Sequence, residues 1–230
     1  MDFRTEEQKR RAHRLENELS ALELALRVVD IEKEVVTDPL TGIFSRRFLI
    51  ECAPTLFAKS LNRNTDERRK KDTQPLSVLF VDIDHFKLVN DEHGHAVGDT
   101  VLQQVARALE RGIRKNDVVA RYGGEEFAIL MPNARESVAM QCAINLLGQI
   151  SGLSLFPGQL DLSVTVSIGV AVSDQFSSFD ELCDAADKAL YSAKNHGRNQ
   201  VVCHRSVIDE NERRRWIATD IHHREEERRK

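Results

Sequence analysis

Six residues, Leu76-Ser77-Val78-Leu79-Phe80-Val81, constrain this chain more than any others. The run is apolar, rich in β-branched and aromatic side chains, and much too short to cross a membrane, so it reads as a buried strand. Its carboxyl end delivers two acids, Asp82 and Asp84. Two more strands are expected at 118–122 and 127–131, joined by Gly123-Gly124-Glu125-Glu126 as a tight hairpin. Further strands are expected at 162–172 and 200–203.

Between the strands the periodicity changes from two to about 3.6. Val101, Leu102, Val105 and Leu109 share one face of a helix over 99–111, and Ala139, Cys142, Ala143, Leu146 and Leu147 do so over 135–150. Helices are also expected at 45–59 and 179–195. Strand, helix, two strands, helix, strand is the order of the split βαβ or ferredoxin-like plan. The expected class is therefore α+β, an antiparallel-containing sheet flanked by helices, with extra elements.

With 230 residues, the chain can hold one catalytic-sized domain plus extensions. One extension precedes the domain. Leu15, Leu19, Leu22, Leu26, Val29 and Val36 alternate steps of four and three along residues 8–36, the seam of a coiled coil interrupted by Lys33. A single amphipathic helix folded onto its own domain is the other reading of that pattern. Asp38-Pro39-Leu40-Thr41-Gly42 ends the helix, since proline disfavours helical geometry in the residue before it. The expected organisation is a dimerising helix at 1–37, a domain at 38–204, and a polar, charged tail or helix at 205–230. Residues 62–74 carry Arg68-Arg69-Lys70-Lys71 and read as a solvated loop.

The formal charge is −4, from 33 basic and 37 acidic residues, so the molecule lacks the overall positive field of a nucleic-acid binder. Cys52, Cys142, Cys183 and Cys203 form no CxxC pair and read as reduced core thiols rather than a zinc site or a disulfide framework. With no long apolar run and a charged amino terminus, a soluble cytoplasmic protein is expected.

Asp82 and Asp84 leave a buried strand, and Glu125 and Glu126 occupy a hairpin tip. If those places adjoin, the carboxylates repel one another unless a cation neutralises them, and hard oxygen ligands favour magnesium. Gly123 and Gly124 allow close backbone approach to a ligand and leave amides for phosphate oxygens, but a plain hairpin also wants glycine.

Arg121-Tyr122-Gly123-Gly124-Glu125-Glu126-Phe127 resembles the signature of the GGDEF family of diguanylate cyclases, in its GGEEF form. Four further blocks resemble the family in order and spacing. The first is Asp38 to Gly42 with Arg46-Arg47. The second is Asp82-Ile83-Asp84-His85-Phe86-Lys87 with Asn90-Asp91. Gly94-His95 with Gly98-Asp99 and Tyr191-Ser192-Ala193-Lys194 with Gly197-Arg198-Asn199 complete the set. The match runs from about Thr37 to Cys203.

The resemblance implies an enzyme that condenses two GTP into cyclic di-GMP and releases two pyrophosphates. Asp82, Glu126 and the carbonyl of Ile83 would hold two magnesium ions per GTP, with manganese able to substitute. Glu125 would add a carboxylate there and help deprotonate the attacking hydroxyl, so Glu125 and Glu126 are the catalytic pair. Lys194, Arg198 and Lys87 would meet the terminal phosphates, and Asn90 and Asp99 the guanine, with Phe86, Gly123 and Gly124 in the same substrate site. Asp99 also suits a helix N-cap, while Lys194, Arg198 and Gly197 suit a helix carboxyl end. Asp84 and His95 are expected to support the site. Arg114-Lys115-Asn116-Asp117 resembles the family's RxxD inhibitory site for product, Arg114 and Asp117 being its residues; a surface salt bridge is the plainer account.

Joining two nucleotides by two bonds requires two domains facing each other across a two-fold axis, so a homodimer is expected. No nucleic-acid polymer and no membrane segment belong to this reading. The alternative is a catalytically silent receptor for cyclic di-GMP.

Overall fold

The computed structural model of the protein describes residues 36–61 and 75–207, apart from 157, 159 and 161. The expected coiled-coil seam up to residue 35, the charged stretch 62–74 and the tail from 208 lie outside the described residues. In chain order the elements are β1 (Phe44–Ser45), α1 (Arg46–Leu61), β2 (Leu76–Ile83), α2 (Phe86–His93), α3 (His95–Gly112), β3 (Val118–Arg121), β4 (Glu126–Pro132), α4 (Glu136–Ser151), β5 (Val166–Val172), α5 (Phe179–Asn195) and β6 (Val201–Cys203). No helix among them is long and apolar enough to cross a membrane.

All eight residues of β2 are buried, which explains its continuous apolar run: it lies inside the single sheet, whose order is β1-β3-β4-β2-β5-β6. It pairs antiparallel with both β4 and β5, and β3 pairs antiparallel with β4. Those four strands, with α3 and α4 as crossovers, form the ferredoxin-like plan. At the edges β1 joins β3 and β6 joins β5, both in parallel.

Alternation along β2 divides the core in two. Leu79, Val81 and Ile83 pack with Val101, Val105 and Leu109 of α3 and with Ala139, Leu146 and Ile150 of α4. On the other face Val78 and Phe80 meet Leu49, Ala53 and Phe57 of α1 and Leu182, Ala186 and Leu190 of α5. Each fully buried aliphatic side chain of this kind contributes roughly 1.5–3 kcal/mol. Because the period is two, Asp82 emerges on the face of Val78 and Phe80. Glu126, in step with Ala128 and Leu130, emerges on that same face.

Several expectations are corrected. A second helix, α2, stands between β2 and α3. Gly94, at φ 84°, ends it while its amide donates to the Asn90 carbonyl, and α3 starts directly after it at His95. Asp99 is therefore inside α3 and is not its N-cap. The strand expected from residue 162 begins at Val166, since Val166 pairs with Ile83 and β2 extends no further. Glu126 belongs to β4 rather than to a hairpin tip, paired in register with Asp82. The four cysteines are free, but only Cys203 is fully buried. Burial raises all four thiols, Cys183 to about 12 with Asp180 and Asp184 adding to the effect.

Candidate active site

Asp82 and Glu126 face each other across the carboxyl end of β2 and the amino end of β4. Glu125 closes the group from the connecting loop, where its carbonyl accepts from the Ile83 amide at 3.3 Å. Ile83 buries its side chain in the α3–α4 core, so only its backbone can serve the site. From the last turn of α5, Lys194 Nζ reaches to 2.7 Å from Asp82 Oδ2. Among the described residues, Lys194 is the cation that pairs with Asp82, and its charge also acts on Glu125.

The electrostatics follow from that arrangement. Burial pushes the Asp82 carboxyl above its ordinary value, Lys194 pulls it back, and Glu126 and Asp84 push it further up. Glu125 is likewise raised, first by burial and then by Asp82, against Lys194. Among the described residues no three carboxylate, imidazole or thiolate side chains already enclose one point as a metal cage. The donor set nevertheless fits a hard divalent cation: oxygen ligands, half-buried, carrying more negative charge than their one lysine cancels.

The Gly-Gly turn is shaped by its neighbours. A Cβ on Gly123 would strike Glu126 Oε2, so the glycine makes room for that carboxylate. The Gly123 amide donates to the Glu126 carbonyl at 3.1 Å, which corrects the expectation that it is left for phosphate. Arg121, the last residue of β3, donates to the carbonyls of Gly123 and Gly124, at 2.7 Å for the closest, and pairs with Asp38 at 3.3 Å. Asp38 in turn accepts from the Thr41 amide and hydroxyl at 2.9 and 2.7 Å. Its carboxyl lies below the ordinary value, the Thr41 and Arg121 contacts outweighing the cost of burial. The Asp38 turn and the Gly-Gly turn are therefore one hydrogen-bonded unit. Sequence reasoning assigned Arg121 no role, although a forked donor beside two adjacent glycine carbonyls was a usable signal.

Asp84, two residues beyond Asp82, is built differently. It accepts from the Thr165 hydroxyl at 2.6 Å, the Ser167 hydroxyl at 2.7 Å and the Asn199 amide at 3.0 Å. It therefore ties β2 to β5 and to the loop after α5, the supporting role expected of it. In that loop Arg198 and Asn199 both take positive φ, 61° and 44°, a strained conformation for residues with side chains. His95, by contrast, is merely the exposed first residue of α3.

The other expected substrate residues occupy the α2–α3 corner. A Cβ on Gly98 would collide with Asn90 Oδ1 and come within 3.2 Å of the Phe86 ring, so glycine lets Asn90 and Phe86 pack against α3. Phe86 is buried there, while Lys87 and Asp99 are exposed. Arg198 is also exposed, and no side-chain bond joins it to the carboxylates among the described residues. Below Glu126 a cleft of about 150 Å³ runs past Phe80, Tyr122 and Leu190. Nucleotides need several hundred Å³, so this cleft is not their pocket.

Arg114 and Asp117 precede β3, at the end away from Gly123. Asp117 is buried and accepts from the Arg114 amide at 2.9 Å, and burial raises its carboxyl despite that bond and the Arg114 charge. In place of the surface salt bridge that was the plainer account of this pair, Asp117 caps its own turn. Arg114 and Lys115 are exposed and line a depression of about 660 Å³ with Lys59, Ser60 and Asn133.

Residues 35–200 match the family described as diguanylate cyclase, GGDEF domain. The chain belongs to the GGDEF family. It is similar to diguanylate cyclase A of Treponema denticola, 35% identical over 188 residues that make up 81% of this chain and 49% of that protein. Response regulator PleD of Caulobacter vibrioides is 37% identical over 170 residues, 73% of this chain and 36% of that protein. The chain thus spans half or less of the length of these relatives. Among solved structures, the coiled coil and GGDEF domain of DgcB from Caulobacter crescentus, in complex with c-di-GMP, aligns with a TM-score of 0.71 at 28% identity, covering 83% of this chain and 97% of that one. The active GGEEF domain of a Vibrio cholerae diguanylate cyclase aligns at 0.60 and 30%, covering 70% and 96%.

Proposed function

We propose that this chain is a diguanylate cyclase that joins two GTP molecules into cyclic di-GMP with release of two pyrophosphates. The observation that carries the reading is the opposition of Asp82 to Glu126, with Glu125 alongside and Lys194 as the nearby cation. Asp82, Glu126, Glu125 and the Ile83 carbonyl hold magnesium, or manganese in its place, two ions to each GTP. When bound, the metal neutralises the phosphoryl charge and activates the attacking hydroxyl. Glu125, raised in pKa and at the rim, is suited to accept the proton from that 3'-hydroxyl. Lys194, Arg198 and Lys87 bind the departing phosphates. Asn90, set against Gly98, and Asp99 read the guanine edge, with Phe86 fixing the α2 end beneath them.

Lys87, Asp99 and Arg198 stand exposed beside the carboxylates' elements, and one domain presents half of a reaction centre. Two copies meet across a two-fold axis to complete it, brought together by the heptad-like residues 15–36. Arg114 and Asp117 form a product site, supported by the arginine beside a wide depression and by Asp117 holding its turn. Domain limits at 38–204, flanked by a dimerising helix and a charged tail, go with this reading, as does a cytoplasmic setting where GTP is abundant.

Incubation with GTP and magnesium tests the proposal. Cyclic di-GMP and pyrophosphate in a ratio of one to two are expected. Binding of cyclic di-GMP without any turnover would replace the reading with that of a silent receptor.

A further inference from the structure

Asp82 has a cationic partner within the protein itself, and that partner is a residue with another task. Lys194 Nζ stands 2.7 Å from Asp82 Oδ2, with the Asp82 side chain 8% exposed and the lysine 30% exposed. The pair joins the last turn of α5 to the end of β2. Asp84, the other acid on this stretch, is held by Thr165, Ser167 and the Asn199 amide, and among the described residues no ion pair joins it to the lysine. Glu125 and Glu126 are the remaining acidic neighbours, and Lys194 makes its ion pair with Asp82 rather than with either of them. The lysine therefore sits on the least exposed of the three carboxylates, the one for which an absent cation is most costly.

We infer that Lys194 is the exchangeable counter-ion of Asp82, occupying the carboxylate until a divalent cation displaces it. The inference rests on the reading of Asp82 as a metal ligand. A buried carboxylate without a cation is costly, and a flexible ammonium on a four-carbon stem can swing out once a stronger charge arrives. Its 30% exposure gives it a path to solvent. Displacement then frees the ammonium for phosphate oxygens, so one side chain serves the resting and the loaded site in turn. In the resting protein it competes with metal, and so weakens metal binding when no nucleotide is present.

The full chain without nucleotide, titrated with Mn2+ and followed by electron paramagnetic resonance, tests this. Lys194→Met is expected to bind Mn2+ on the order of tenfold more tightly than the wild type, the size of one charge-assisted contact removed from competition. Its thermal midpoint should lie below the wild type without metal and recover when Mn2+ is added. If Lys194→Met does not fold, Lys194→Gln, which keeps a hydrogen bond but no charge, should show the same gain. Equal or weaker Mn2+ binding by the variants, in a wild type that turns over GTP, would overturn the counter-ion role alone. A wild type that neither binds Mn2+ nor forms cyclic di-GMP would overturn the active-site reading and this inference with it.

Discussion

Asp82 and Asp84 stand two residues apart at the end of one strand, and the regions around them are opposites. Asp84 accepts three hydrogen bonds from the start of β5 and the α5 loop, so most of its acceptor capacity is met within the protein. Asp82 has Lys194 as its cation, and burial together with the charges of Glu126 and Asp84 raises its carboxyl. The first arrangement favours the folded state, whereas the second is left short of positive charge. A carboxylate whose needs are met by protein is structural; one whose needs are unmet awaits a ligand.

The sharpest way to break this comparison is through activity. Glu126→Gln should lower cyclic di-GMP formation by roughly 10²–10³-fold, the scale of losing one group that stabilises transition-state charge. Activity close to wild type would remove Glu126 from the site. Next comes Asp84→Ala, which strands two hydroxyls and an amide. A loss of about 3 kcal/mol in urea unfolding is expected, and a loss below about 0.5 kcal/mol would show that the network is incidental. A smaller effect is expected of Gly98→Ala, whose Cβ must push Asn90 aside. The KM for GTP should rise about tenfold, the scale of a misplaced positioning group, with thermal stability reduced by far less than in Asp84→Ala.

Acidity gives the weakest but most general contrast. Carboxyls raised in the fold, Asp82, Glu125 and Asp117, bind protons more tightly there than in the unfolded chain. Between the ordinary values of 3.8 and 4.5 and their raised folded values, the metal-free protein should lose stability as pH increases. Asp38 acts in the other sense. Its stabilisation is complete above 3.8 and is lost as pH falls through its lower folded value. Thermal midpoints of metal-free protein, followed upward from about pH 4, should therefore decline with pH, and millimolar Mg2+ should flatten the trend. A midpoint rising steadily over that range, with or without Mg2+, would contradict the crowding of charge at Asp82.

Much of this is legible in the sequence. The run 76–81 announces a buried strand, and period-two alternation implies that Asp82 and Glu126 share a face once their strands pair. The crossover helices α3 and α4 are visible as apolar stripes. What local pattern cannot supply is anything decided by contact at long range. Thr165 and Ser167 look like ordinary strand residues until Asp84 is seen between them. Arg121 joins Asp38, 83 positions away, to the Gly-Gly turn. The short helix α2 escapes sequence reasoning because only Phe86 and Val89 of its eight residues are buried, too few to form a stripe. The Lys194–Asp82 pair is hidden for another reason: the family resemblance assigns each residue to a different ligand.

The most direct test compares Asp82→Asn with Asp84→Asn in one preparation, measuring cyclic di-GMP formation and urea unfolding without metal. Asp82→Asn should abolish synthesis while leaving the unfolding midpoint unchanged or higher, because a neutral amide relieves the crowding, and Asp84→Asn should unfold at distinctly lower urea. Retained synthesis in Asp82→Asn, or a loss of stability equal to that of Asp84→Asn, would contradict the account.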